Sequence, residues 1–444
     1  MKKLLFIILS LALFTACERK IDEFQVSKGS ADFSTYVAVG HSMLAGYADG
    51  ALYHTSQQYS IPKLIAGQLQ LAGSGNFVQP VVNSEFGIEY PGAKTKLVLG
   101  YSISPCTGEV SMGPVNAEGQ LEPLQPVGYR VNNLAIPGAK SFHLLFPGYA
   151  AYNPYYARFA TGAGNKVVDE IAGLNPTFFT LWLGDNDVLG YALAGGAADS
   201  ITSPVLFQQA MGGVLTYLTA NGAKGVVANI GDITGLPFFS TIPYNALVLT
   251  KSQADSINMA LQIYQLTDTT RIKPYHAGPN PFLIADPTSP HPMFKVRQMR
   301  PGELVLMTVP QDSLKCMGMG IINRVTFMPY PIPGQYVLTA EEVGAIKAAT
   351  QAYNAILYGL AAKFNTGFVD MNTKMKELQS GLTWDGIHLN TKFVTGGAFS
   401  LDGIHLNPRG SAMAANFFID AINIKFGSTI PQLDITKYPG VIFP

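Results

Sequence analysis

Short, mainly apolar runs alternate along the chain with segments whose apolar residues recur at helical spacing. Residues 36–39, 178–183 and 225–230 are such runs, of the kind that form strands buried on both faces, and 367–370 is the last core-strand candidate. Between them, Ile61, Leu64, Ile65 and Leu69 share one helical face, as do Val167, Val168, Ile171 and Leu174 before Pro176 ends that helix. A further helix is predicted over 206–218. A long one follows Thr339 and Glu342, whose spacing is that of a capping box, with Val343, Ile346, Tyr353, Ile356, Leu357 and Leu360 along one side. Strands alternating with helices predict an α/β protein with a doubly wound sheet. The rhythm fails twice. Residues 72–130 are rich in Gly, Pro, Ser and Asn without a sustained period, and a loop of that length is usually functional; it either roofs a site or is a surface excursion. Residues 236–333 carry aromatic and proline clusters and one strand candidate at 304–308. They read as an insertion, either a cap or rim beside a site or a subdomain that only packs.

The polar positions that matter stand where strands end. The run 36–39 breaks at Gly40, and His41, Ser42 and Met43 follow. A serine at the carboxyl end of a first strand sits where open α/β sheets place their ligands, although an isolated turn serine is also common. Residues 131–138 form an extended segment closing on Pro137-Gly138, and the run 178–183 opens directly into Gly184-Asp185-Asn186-Asp187.

These segments, in this order, resemble the blocks of the SGNH (GDSL-type) serine hydrolases. Gly40-His41-Ser42-Met43 stands where that family has Gly-Asp-Ser-Leu: the serine and its glycine match, the acid and the leucine do not. The Gly-x-Ser-x-Gly elbow of the α/β-hydrolases fits less well, because Leu44 stands where that motif needs its second glycine. The resemblance implies Ser42 as nucleophile. It also implies an oxyanion hole made of the Ser42 and Gly138 N–H groups and the Asn186 side-chain amide, with Asp187 orienting its loop. Such donors are needed because charge reaches the carbonyl oxygen only as the tetrahedral state forms. It further implies a three-layer α/β/α, flavodoxin-like fold with a parallel sheet of about five strands, and no metal or organic cofactor.

The sequence Asp-Gly-Ile-His-Leu-Asn occurs twice, at 385–390 and 402–407. The family's last block is Asp-x-x-His just before the closing helix, and the second copy fits: Pro408 suits a first helical turn, and Met413, Phe417, Ile419 and Ile422 follow in an apolar helical run. Asp402 and His405 are therefore assigned as orienting acid and general base. His388 is left as a loop or substrate-side element. Three residues of separation let the carboxylate reach Nδ1–H and fix the tautomer, leaving Nε2 for the serine. His54, His143, His276 and His291 show no metal-ligand spacing and are read as structural. His41 is the departure from the family. An imidazole cannot accept two hydrogen bonds as a carboxylate can, and a cationic ring beside Ser42 would favour an oxyanion while disfavouring a protonated His405.

Charge and composition narrow the function. Lys plus Arg and Asp plus Glu each number 29 in 444 residues, so the chain has no net charge and no basis for displacing counterions from nucleic acid. Residues 1–17 read as a lipoprotein signal peptide: Lys2 and Lys3, an apolar core over 4–14 that is too short for the roughly twenty residues of a membrane span, then Thr15-Ala16 and Cys17. Cys17 resembles the bacterial lipobox cysteine, with Phe14 where leucine is usual. That implies lipidation of Cys17 and attachment at a membrane of the cell envelope, at its outer, periplasmic or surface face. Residues 18–34 read as a linker, 35–425 as the hydrolase domain with its two insertions, and 426–444 as a C-terminal tail. Cys106 and Cys316 are far apart in sequence, and export permits a disulfide without supplying geometric support for one. The reading is an ester hydrolase acting through a serine acyl-enzyme on lipid or acylated-carbohydrate esters. The alternatives are a weakly active or inactive relative that binds glycan and an assembly component whose insertion meets a protein partner.

Overall fold

The computed structural model describes residues 25–267, 270–289 and 295–444. The signal peptide with Cys17, the first residues of the linker and His291 lie outside the described residues. Among the described residues no helix is long and apolar enough to cross a membrane.

The protein is a mixed α/β structure around a five-stranded parallel sheet. Its strands are β1 (Tyr36–Gly40), β2 (Asn133–Ala135), β3 (Phe178–Trp182), β4 (Lys224–Ala228) and β5 (Gly367–Val369), in the spatial order β5-β4-β3-β1-β2. β1 and β3 are buried along their whole length, as their mainly apolar sequences require, and the buried Thr180 hydroxyl is hydrogen-bonded to that of Tyr36 at 2.8 Å. Their register, Tyr36 opposite Phe178 through Gly40 opposite Trp182, brings both strands to an end at the same edge of the sheet.

Eight helices matter to the site: α1 (Ser42–Ala45), α2 (Ile61–Gln70), α3 (Val167–Leu174), α4 (Asn186–Leu193), α5 (Pro204–Thr219), α6 (Ala340–Lys363), α7 (Met371–Ser380) and α8 (Pro408–Phe426). α2 packs with α8, while α3 and α6 pack with α5. Local chemistry sets their ends. Thr339 and Glu342 close the reciprocal capping box of α6 at 3.3 and 2.7 Å. Asn407 accepts the Gly410 N–H at 2.9 Å and Pro408 fills the first position of α8. Helix α7 has no counterpart in the apolar pattern, because only Met371 and Leu378 on it are buried.

Ala31 and Phe33 are buried, and the Ser30 N–H donates to the Phe426 carbonyl at 2.8 Å, so the described end of segment 18–34 lies against the end of α8. After α8, Asn416 holds Leu433 through two hydrogen bonds of 2.9 and 2.7 Å.

The stretch 72–130 carries an antiparallel hairpin, Leu97–Ile103 with Val110–Asn116. The stretch 236–333 contains helices and two- or three-residue ribbons around small clusters of its own, one of them including Phe282, Ile284, Val305 and Ile332. In its interior Arg297 grips Glu303 with two hydrogen bonds of 2.8 and 2.7 Å, the fork geometry that makes a buried pair tolerable. Cys106, in the hairpin loop, is disulfide-bonded to Cys316. The bond joins the two interruptions of the α/β pattern across 210 residues of chain.

Closing so long a loop restricts the unfolded chain, with a typical effect of about 2–4 kcal/mol. The Cys106→Ala/Cys316→Ala protein should lose stability of this order in denaturant unfolding without reductant, and reduced wild type should match it. Equal midpoints for oxidised wild type and the double variant would show that the bond contributes nothing.

Candidate active site

The order of the sheet reverses between β1 and β3, and the crevice outside such a reversal is where open α/β sheets hold ligands. Gly40 ends β1 hard against β3: a Cβ there would lie 2.3 Å from the Trp182 carbonyl oxygen. The close approach admits only glycine. Ser42 begins α1 immediately afterwards and is almost fully buried.

His405 reaches this serine from the other end of the chain. Its Nε2 lies 2.7 Å from Ser42 Oγ, and its Nδ1 lies 2.8 Å from Asp402 Oδ2. The tautomer that satisfies both carries its proton on Nδ1 and leaves a lone pair on Nε2 facing the hydroxyl. Asp402 also accepts the N–H groups of Gly50, Ile404 and His405 and the Ser400 hydroxyl, at 2.8–3.0 Å. Burial alone would raise this carboxyl. His405 and the backbone donors outweigh burial and hold it far below the ordinary carboxylate range.

A second carboxylate fixes the two loops to each other. Asp49 accepts the Leu401 N–H at 2.8 Å and the Tyr53 hydroxyl at 2.7 Å, and the Asp49 N–H donates to Ser400 Oγ at 3.0 Å. It does so from a left-handed backbone conformation, φ +53°, that non-glycine residues seldom adopt. Burial pushes its carboxyl up despite these donors. Asp49 escaped the sequence reading: Asp49-Gly50 is an ordinary turn signal, and its partners Ser400 and Leu401 lie 351 and 352 residues away. Both chain interruptions are rooted here. The Leu97 N–H donates to the Asp49 carbonyl at 2.7 Å, and the Phe238 N–H donates to the Gly403 carbonyl at 2.9 Å.

The segments after β2 and β3 meet on the other side of Ser42. Ile136 N–H bonds the Gly40 carbonyl at 2.9 Å, which brings the Pro137-Gly138 turn beside the end of β1. Gly138 is exposed with φ +78°. Among the described residues, neither its N–H nor that of Ser42 donates to a protein acceptor. Asn186 spends one amide hydrogen on the Ala139 carbonyl at 3.0 Å, which leaves the other available. Asp187 is fully buried and takes both the N–H and the hydroxyl of Ser141 at 2.7 Å. Burial raises its carboxyl, and the two Ser141 donors work against that. Asp187 thus ties the Gly138 loop to the start of α4.

The first Asp-Gly-Ile-His-Leu-Asn copy does something different. It forms the turn of a ribbon, Leu382–Trp384 with Ile387–Leu389; His388 is exposed beside Thr383, and Asp385 accepts the Ile435 N–H instead of facing the histidine.

Ser42 and His405 border a narrow pocket of about 80 Å³. Its walls are almost wholly apolar, with Met43, Met371, Met375 and Met413 beside Trp182 and Phe417. Methionine is flexible and polarizable, so such walls adapt to a chain without a fixed shape. Helix α7 supplies two of these residues. His41 and Asp185 also border the cavity, with His41 Nε2 2.9 Å from Asp185 Oδ2. Among the described residues, no three His, Cys, Asp or Glu side chains converge on a common point.

No family model and no curated protein sequence matches the chain. Among solved structures it is similar to a candidate GDSL-like lipase from Parabacteroides merdae ATCC 43184, at 10% identity over 90% of this chain and 99% of the other, with a TM-score of 0.35. It is similar also to LAE5, an alpha/beta hydrolase enzyme from the metagenome of Lake Arreo, at 12% identity over 88% and 96% with a TM-score of 0.35. A lipase/acylhydrolase from Enterococcus faecalis matches at 10% identity over 90% and 99%, with a TM-score of 0.33.

The lowered Asp402 carboxyl has a signed consequence. A carboxylate whose folded pKa lies below its unfolded value of about 3.9 stabilises the fold fully above that value and stops doing so as pH falls through the folded pKa. The stability gap between wild type and Asp402→Asn should therefore shrink as the pH falls below about 4. A gap that went on widening below that pH in urea titrations would contradict this assignment of charge.

Proposed function

We propose that the protein is a serine ester hydrolase that works through an acyl-enzyme. The observation that carries this reading is the relay from Ser42 Oγ to His405 Nε2 at 2.7 Å and from His405 Nδ1 to Asp402 at 2.8 Å. Ser42 attacks the ester carbonyl while His405 takes its proton, and Asp402 orients the ring and stabilises the imidazolium that forms. The oxyanion is received by the Ser42 and Gly138 N–H groups and the remaining Asn186 amide hydrogen. His405 then returns its proton to the departing alcohol, and water activated by the same residue releases the acid. The strand order, with β1 between β2 and β3, supports a flavodoxin-like, three-layer reading of the fold.

The pocket supports a class of substrate. An apolar, methionine-rich space opening at the nucleophile suits the acyl part of an ester and favours a chain of several methylenes over acetyl, since each buried methylene contributes about 0.8 kcal/mol. The alcohol lies outside this space. Lipid esters and acylated carbohydrates both meet that description. Export and lipidation at Cys17 would place this activity at the cell envelope; the Thr15-Ala16-Cys17 sequence supports that placement.

With p-nitrophenyl acetate, butyrate and octanoate, kcat/KM should rise along the series. His405→Ala should lower it by roughly a thousandfold or more, while His388→Ala keeps most of it. A larger loss for His388→Ala than for His405→Ala would overturn the assignment of the base. For anchoring, Cys17→Ser should move the protein from the membrane fraction to the soluble fraction. Unchanged fractionation would count against lipidation at that residue.

A further inference from the structure

We infer that His41 and Asp185 form a positioning pair that fixes the nucleophile turn relative to the Asn186 turn. The inference rests on the serine-hydrolase reading and adds a role for two residues outside the relay. His41 ends the β1 turn directly before Ser42, and Asp185 precedes Asn186 at the end of β3. The pair therefore spans the crevice between the proposed attacking atom and the proposed oxyanion donor.

Three observations carry it. First, one ring nitrogen accepts a hydrogen bond and the other faces a carboxylate. His41 caps α1 by accepting the Met43 N–H on Nδ1 at 3.4 Å, which puts the neutral ring's proton on Nε2, facing Asp185 Oδ2 at 2.9 Å. Met43 N–H is thereby turned to the ring, so the amide following the serine is committed to the turn. Second, Asp185 is the N-cap residue of α4 yet makes no side-chain cap, the usual use of an aspartate there. Its carboxylate is directed across the crevice instead. Third, both side chains are buried, and at 2.9 Å the two groups are in contact but outside hydrogen-bond geometry. Among the described residues neither Nε2 nor Oδ2 has a hydrogen-bond partner, so the polar contact each makes there is with the other. Removing either group strands the other in an apolar wall, beside the Trp182 ring that meets His41 edge-on at 5.5 Å. A buried pair with no alternative partner acts as a strut between the two turns.

Substitutions at His41 separate its two contacts. Asparagine places an acceptor where Nδ1 was and retains the Met43 cap, but is too short to reach Asp185. Glutamine places a donor near the Nε2 position and retains the Asp185 contact. If the strut sets catalytic geometry, His41→Asn and Asp185→Ala should each lower kcat by on the order of a hundredfold, the loss typical of a misplacement near an ångström. KM should change little, and His41→Gln should recover most of the rate. The double variant His41→Asn/Asp185→Ala should be no slower than either single one. Thermal melts of each variant separate loss of fold from loss of rate, and Asp185→Asn supplies a neutral acceptor should Asp185→Ala fail to fold. Folded His41→Asn and Asp185→Ala proteins with wild-type kcat would overturn the inference, as would multiplicative losses in the double variant. A wild type that hydrolyses none of the esters refutes the underlying reading instead.

Discussion

The contact between His405 Nε2 and Ser42 Oγ joins residues 363 positions apart at 2.7 Å, and much of the structure is arranged to hold it. A single hydrogen bond of modest net value cannot bring two such distant loops together. The parallel sheet places the turn after β1 at one edge, and α8 starts from the loop that carries Asp402 and His405. The final alignment comes from the polar stitches between the loops: Asp402 to Gly50, Asp49 to Leu401, and Ser400 Oγ between the Asp49 N–H and the Asp402 carboxylate. The stitches at Ser400 and Leu401 satisfy buried groups that would otherwise be costly.

Carboxylates recur in this scaffold with different tasks set by what donates to them. Asp402 collects so many donors that burial is overcome and its charge is stabilised. Asp49 and Asp187 have fewer donors, and burial prevails, so their carboxyls are raised. The proposed relay needs the first condition, because a charged Asp402 would steady an imidazolium at His405. Loop anchoring tolerates the second, since a carboxyl in either protonation state can accept hydrogen bonds.

The strands that build the site were legible because burial on both faces demands mainly apolar sequence, as in 178–182, and a glycine or polar cluster marks each strand's end. Pro408 and the apolar run behind it distinguished the second Asp-Gly-Ile-His-Leu-Asn copy from the first, which turned out to be a ribbon turn. β2 has only three residues and no period to read, so its Gly138 was placed by resemblance alone. The interior of 236–333 was illegible because its strands are two or three residues long. The Cys106–Cys316 bond, the role of Asp49 and the approach of Asp185 to His41 are tertiary facts. Their partners come from remote or separate strand ends, and no local pattern encodes such meetings.

The central claim is that Ser42 is a nucleophile activated by His405, and covalent labelling tests it without knowledge of the natural substrate. Incubation with a fluorophosphonate, followed by peptide mass spectrometry, should give a single adduct on Ser42 in the wild type. The adduct should be absent from Ser42→Ala and should form far more slowly in His405→Ala. A folded wild-type protein that acquires no adduct, or acquires it on another serine, would contradict the account.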